Sequence, residues 1–123
     1  MYQAPISCDN VIITFDHYEG MTPKEKVVKT VTLIYMNNFE VEQFVFAPPY
    51  EREKLPKAVR VRNSCRDYTF FNRGEYFLGW QNGDIPYSEL EKLLTSKLEN
   101  ACVLYTDGKE NAKFLNTLLK RDV

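Results

Sequence analysis

The sequence predicts an α/β domain built on a mixed sheet of about four strands, with one antiparallel hairpin and two main helices. Three observations predict it. Two β-branched runs, Val27–Met36 and Phe39–Phe46, flank the pair Asn37-Asn38. Leu90, Leu93, Leu94 and Leu98 recur at helical spacing, and a short apolar run, Ala101–Thr106, follows at once. The chain has 123 residues, 44% hydrophobic and 27% charged, which suits one globular domain spanning residues 1–123.

Taken in order, Asn10–Phe15 (Asn-Val-Ile-Ile-Thr-Phe) is short, apolar and β-branched, as a buried strand is. It leaves through the polar Asp16-His17-Tyr18-Glu19-Gly20, and Thr22-Pro23 continues the loop. The next two runs form a hairpin whose Asn37-Asn38 turn tolerates positive φ. Pro48-Pro49 ends the second of them, because proline has no N–H for a ladder. Glu51–Tyr76 reads as a partly helical or extended excursion. It carries Arg52, Lys54, Lys57, Arg60, Arg62, Arg66 and Arg73, seven of the 16 basic residues, interleaved with aromatics.

Asp84 to Leu90 opens a helix, with Pro86 in its first turn and Glu89 near the positive end of its dipole; Asn100 closes it. This helix is the crossover that makes Ala101–Thr106 parallel to an earlier strand. Asp107-Gly108 is a tight turn, and Lys109–Arg121 reads as an amphipathic helix with Ala112, Leu115, Leu118 and Leu119 on one face.

Composition excludes several chemistries. The formal net charge of -1 excludes a strongly basic nucleic-acid binder. The single histidine, His17, excludes multi-histidine zinc sites and sits beside no nucleophile that it would activate as a base. The cysteines Cys8, Cys65 and Cys102 are odd in number and widely spaced, so a disulfide framework is not expected, and Cys102 reads as a buried, inert thiol. With no signal-peptide pattern and no membrane-length apolar run, the expectation is a cytoplasmic or nuclear protein without membrane contact.

The element order and its residues resemble the ribonuclease H-like 3′–5′ exonuclease (DEDD, or DnaQ-like) superfamily. In that family a first strand ends in Asp-x-Glu, a short Gly/Pro loop follows, and two antiparallel strands end in a proline. Phe15 to Pro23, then Val27–Met36, Phe39–Phe46 and Pro48-Pro49, follow that layout. Leu78-Gly79-Trp80 with Asp84-Ile85-Pro86 is similar to the stretch before the family's next helix, and Asp107 to Leu115 to its second motif. A nearer likeness exists to uncharacterised proteins of insects, viruses and mobile elements. It rests on Pro48-Pro49-Tyr50, Gly83 to Leu90 and Tyr105 to Glu110, and implies viral or mobile-element origin and action on a host process.

The departures from the family pattern bear on the chemistry. Two-metal phosphodiester hydrolysis needs several carboxylates around two cations about 4 Å apart. Asp16 holds the first position, but Tyr18 replaces the paired Glu, and Glu19 lies one residue on, toward the other strand face. Asn111 stands where the second Asp is expected and is a weaker ligand for a hard cation. The third motif would follow Arg121, and the sequence ends at Val123.

The expectation is therefore a truncated, degenerate ribonuclease H-like binding domain with no catalytic residues and no cofactor. Asp16 and Glu19 remain candidate ligands for a residual metal, Mg²⁺ or Mn²⁺. The alternative is a metal-dependent nuclease using Asp16, Glu19 and either Asp107 or Glu110, completed by a dimer partner. For nucleic-acid binding the candidates are Arg60, Arg62, Arg66 and Arg73, with Arg60-Val61-Arg62 read as one face of a strand. For a protein partner or a homodimer they are Tyr68, Phe70, Phe71 and Tyr76, an aromatic density too high for one strand face.

Overall fold

The structure, a computed structural model, describes residues 9–22, 25–72 and 79–119, and side chains within these except at 9 and 66–72. Four strands, β1 (Asp9–Glu19), β2 (Lys26–Tyr35), β3 (Glu40–Val45) and β4 (Ala101–Thr106), form one sheet in the order β3-β2-β1-β4. Helix α1 (Lys57–Asn72) follows β3, α2 (Leu90–Leu98) precedes β4, and α3 (Lys109–Leu119) follows it. The fold is thus α/β with a mixed sheet, as the periodicities predict, with three α-helices among the described residues.

Strand direction is visible in the hydrogen bonds. The Met36 N–H donates to the Asn10 carbonyl and the Gly20 N–H to the Glu25 carbonyl, so β1 and β2 are antiparallel. Phe39 N–H to Tyr35 and Phe46 N–H to Lys29 make β2 and β3 antiparallel in the same way. Strand β4 runs parallel to β1, from Asn10↔Val103 to Ile13↔Thr106, with an irregularity at the Asp9/Asn10 step.

Two compact units divide the chain. The first comprises residues 1–14, 32–43 and 91–123, and the second residues 15–31 and 44–90. In the first, Val11, Ile13, Leu33, Leu94, Leu98, Leu104 and Leu115 are buried, and α3 packs on β4. Leu94 and Leu98, one turn apart, are the inward stripe that the leucine spacing predicts. In the second, Tyr18, Val27, Leu55, Val59 and Trp80 form a buried cluster, with Tyr50 and Tyr87 packed against it.

Four expectations change. First, β1 continues to Glu19, so Asp16 to Glu19 is strand and not a polar exit. Asn63, buried on α1, holds its end: Asn63 Oδ1 accepts the Glu19 N–H at 2.9 Å, and Asn63 Nδ2 donates to the Glu19 carbonyl at 3.1 Å.

Second, the hairpin loop is longer than two residues. Phe39 takes the positive φ, 59°, and its N–H closes on the Tyr35 carbonyl. Asn38 instead accepts the Glu40 N–H through its side chain, an alternative to the left-handed conformation.

Third, of the two readings of the basic excursion the helical one holds, a 3₁₀ turn, Arg52–Lys54, followed by α1, so Arg60-Val61-Arg62 is not a strand. On a helix, residues two apart project about 200° apart, so Arg60 and Arg62 do not share a face. Fourth, Cys102 is exposed and disulfide-bonded, not a buried thiol, while Cys65 is free and exposed. Along β4, Cys102, Val103 and Tyr105 are exposed while Ala101 and Leu104 are buried.

Candidate functional site

The two acidic candidates sit on β1 and are engaged separately. Asp16 and Glu19 are three residues apart on a continuous strand, which sends their side chains to opposite faces. Asp16 Oδ2 accepts from the Thr30 hydroxyl at 2.8 Å. Glu19 Oε2 accepts from Arg62 Nε at 2.7 Å, an ion pair that raises the Arg62 pKa further above its already high value. Among the described residues, no three His, Cys, Asp or Glu side chains gather as a metal site would require.

Three of the four basic candidates, Arg60, Arg62 and Arg66, lie on α1. Arg62 is exposed and paired with Glu19, so it presents less free charge to a phosphate. Arg60 is half-buried, and its Nε is buried without a hydrogen-bond partner. The backbone places Arg66 on α1 one turn beyond Arg62. The aromatic candidates Tyr68, Phe70 and Phe71 also lie on α1, with side chains outside the described set; Arg73 and Tyr76 lie outside the described residues.

In the first unit, Asn111 folds back on the turn before α3. Its Nδ2 donates to the Asp107 carbonyl at 2.9 Å and to Asp107 Oδ1 at 3.1 Å. The amide thus closes the Asp107-Gly108 turn and occupies one oxygen of the Asp107 carboxylate. Gly108 has φ +85°, which favours glycine.

The same unit carries exposed apolar side chains the sequence does not reveal. Met36, Phe39, Val41, Val103 and Tyr105 are large apolar side chains left exposed, from 40% for Met36 to 78% for Phe39. A cavity of about 340 Å³ opens among Ile12, Thr14, Met36, Tyr105, Thr106 and Asp107. Its lining is largely apolar, with Asp107 at one side. Unbroken apolarity in Ala101–Thr106 reads as burial, yet Val103 and Tyr105 are exposed in the structure.

A second feature missed in the sequence is Lys29, buried in the middle of β2 at 3% exposure. Its ammonium donates to the Phe46 carbonyl at 3.0 Å and to the Trp80 carbonyl at 2.9 Å. The available signal was a lone lysine inside Val27-Val28-Lys29-Thr30-Val31, where solvent exposure is not expected of its neighbours. Comparison with protein-family models, curated proteins and solved structures finds no match to this chain.

Proposed function

We propose that this chain is a non-catalytic, ribonuclease H-like binding domain that engages a protein partner, with a second copy of itself the first partner to test. The observation that carries the reading is the exposed Met36 and Tyr105 in the walls of the Ile12–Asp107 cavity of the first unit, with Val103 exposed two residues before Tyr105 on β4. Exposed apolar side chains gathered at one cavity, as Met36 and Tyr105 are, mark protein contacts more often than those scattered singly. Strand β4 adds a row without charge or proline, the features that usually guard a sheet edge. Strand β3, at the other end of the order, carries Glu40 and Glu42.

Three antiparallel neighbours followed by a helical crossover to a strand parallel to the first support the ribonuclease H-like part of the reading. The separate engagement of Asp16 by Thr30 and Glu19 by Arg62 supports its non-catalytic part. The Glu19–Arg62 pair, which spends the Arg62 charge internally, favours protein over nucleic acid as partner. Origin in a virus or mobile element remains part of the proposal through the sequence resemblance alone.

Sedimentation velocity over a concentration series tests the reading, with Val103→Lys and Tyr105→Glu as variants. Concentration-dependent association that both variants abolish is the expected result. Mg²⁺- or Mn²⁺-dependent cleavage of DNA or RNA that disappears in Asp16→Ala would establish the nuclease alternative instead.

A further inference from the structure

The second unit carries a cleft that the reading above does not use. A cavity of about 600 Å³ is lined by Pro48, Tyr50, Glu51, Arg52, Glu53, Trp80 and Gln81. A neighbouring one of about 520 Å³ shares Pro48 and adds Pro49, Asp84, Pro86 and Tyr87 among its walls. Tyr50 and Pro48 are in the walls of the larger, and Pro48, Pro49, Pro86 and Tyr87 in those of the smaller.

The aromatic rings are fixed by their polar ends. Tyr50 Oη accepts the Met21 N–H at 3.0 Å and donates to Glu25 Oε1 at 3.1 Å. Trp80 Nε1 donates to the Tyr50 carbonyl at 3.0 Å, with the two ring centroids 5.5 Å apart. Tyr87 Oη accepts the Val28 N–H at 3.2 Å. Rings held in this way do not need ordering when a ligand arrives, which removes one cost of association.

Charge selects the ligand. Glu51, Glu53 and Asp84 are exposed carboxylates on these walls. Arg52, the one cation among the lining residues named, is half-buried and donates to Ser64 Oγ at 3.3 Å. The excess is negative, which repels phosphate and attracts a cationic side chain. Walls of proline and aromatic rings suit a polyproline segment, whose preformed helix loses little entropy on docking.

We infer that this cleft binds a proline-rich peptide segment bearing arginine or lysine, its prolines against the half-buried Tyr50 and Tyr87, with the buried Trp80 behind Tyr50, and its cation beside Glu51 and Glu53. The inference deepens the protein-partner reading by adding a site in the other unit. It stands apart from that reading experimentally, because its readout is Trp80 and not self-association.

The test titrates isotope-labelled protein with a synthetic Pro-x-x-Pro peptide carrying a terminal arginine, following the single tryptophan indole resonance. The expected result is a saturable shift of that resonance, lost when the peptide's prolines are replaced by alanine. The double variant Glu51→Lys/Glu53→Lys, at two exposed positions, should bind the peptide about tenfold more weakly or less while keeping the wild-type circular dichroism. No saturable shift, an equal shift with the alanine peptide, or unchanged affinity in the double variant overturns the inference. So does a single-stranded oligonucleotide that shifts Trp80 and binds more tightly to the double variant, which would make the cleft a nucleic-acid site.

Discussion

Replacing Lys29 with methionine tests how the second unit is held together. The ammonium is buried and donates to two backbone carbonyls, Phe46 O and Trp80 O, from different parts of the chain. Phe46 also returns a hydrogen bond to Lys29, its N–H donating to the Lys29 carbonyl at 2.9 Å. The side chain therefore ties the end of the β3 region and the Trp80 segment to the middle of β2.

Lys29→Met keeps an unbranched stem and removes the charge. Two hydrogen bonds from a charged donor are lost, at about 1.5–3 kcal/mol each. The desolvation of a buried ammonium, several kcal/mol, disappears as well. The relief of desolvation offsets part of the lost bonding, which totals about 3–6 kcal/mol, so the expected net destabilisation is about 2 kcal/mol.

Lys29→Ala also removes three methylenes from the interior, at about 0.8 kcal/mol each. Its expected cost is about 4–5 kcal/mol. Urea unfolding followed by Trp80 fluorescence measures both, since Trp80 is the only tryptophan and accepts one of the bonds. A Lys29→Met protein as stable as wild type would refute the reasoning, because the two carbonyls would then not depend on the ammonium.

Other outcomes follow from particular contacts. Gly83→Ala should destabilise strongly, because Gly83 has φ +144° and an added Cβ would fall on the Phe46–Ala47 peptide; a midpoint within error of wild type in thermal unfolding would contradict that packing. Asn63→Ala should cost about 2–3 kcal/mol, since both backbone groups of Glu19 lose the amide that pairs them; urea unfolding reads the loss, and hydrogen exchange at the Glu19 amide localises it. Glu42 has its pKa lowered by the hydrogen bond from the Tyr35 hydroxyl, with burial opposing and Lys97 assisting. A group depressed in the folded state adds stability above its ordinary carboxylate range and loses it as pH falls through the folded value. Glu42→Gln should therefore flatten the acid limb of the stability–pH profile, and an unchanged limb would count against the Tyr35–Glu42–Lys97 network.

Local patterns made much of the fold legible. The β-branched runs around Asn37-Asn38 gave the hairpin, the leucine spacing gave α2, and Ala101–Thr106 gave β4 at the bounds the structure has. Each signal is a short-range periodicity that a neighbour-by-neighbour reading detects. Helix α1 was not legible in the same way. Its buried positions include Val59 and the polar Asn63, so no apolar stripe announces it, and its arginines alternate as they would along a strand. The candidate site fared similarly: Asp16 and Glu19 were singled out, but their partners Thr30 and Arg62 lie 14 and 43 residues away.

The sequence by itself determined the class of fold, the order of most elements and the scarcity of histidine. Those depend on composition and on spacing between near neighbours. Only the tertiary structure decided which charges are spent on internal contacts and which apolar residues face outward. Arg62 is committed to Glu19, Lys29 to two carbonyls, and Tyr105 is exposed within an unbroken apolar strand. Burial and pairing depend on residues brought together from distant positions, and the same arginine, lysine or tyrosine reads identically in sequence whether it is satisfied inside the fold or offered to a partner.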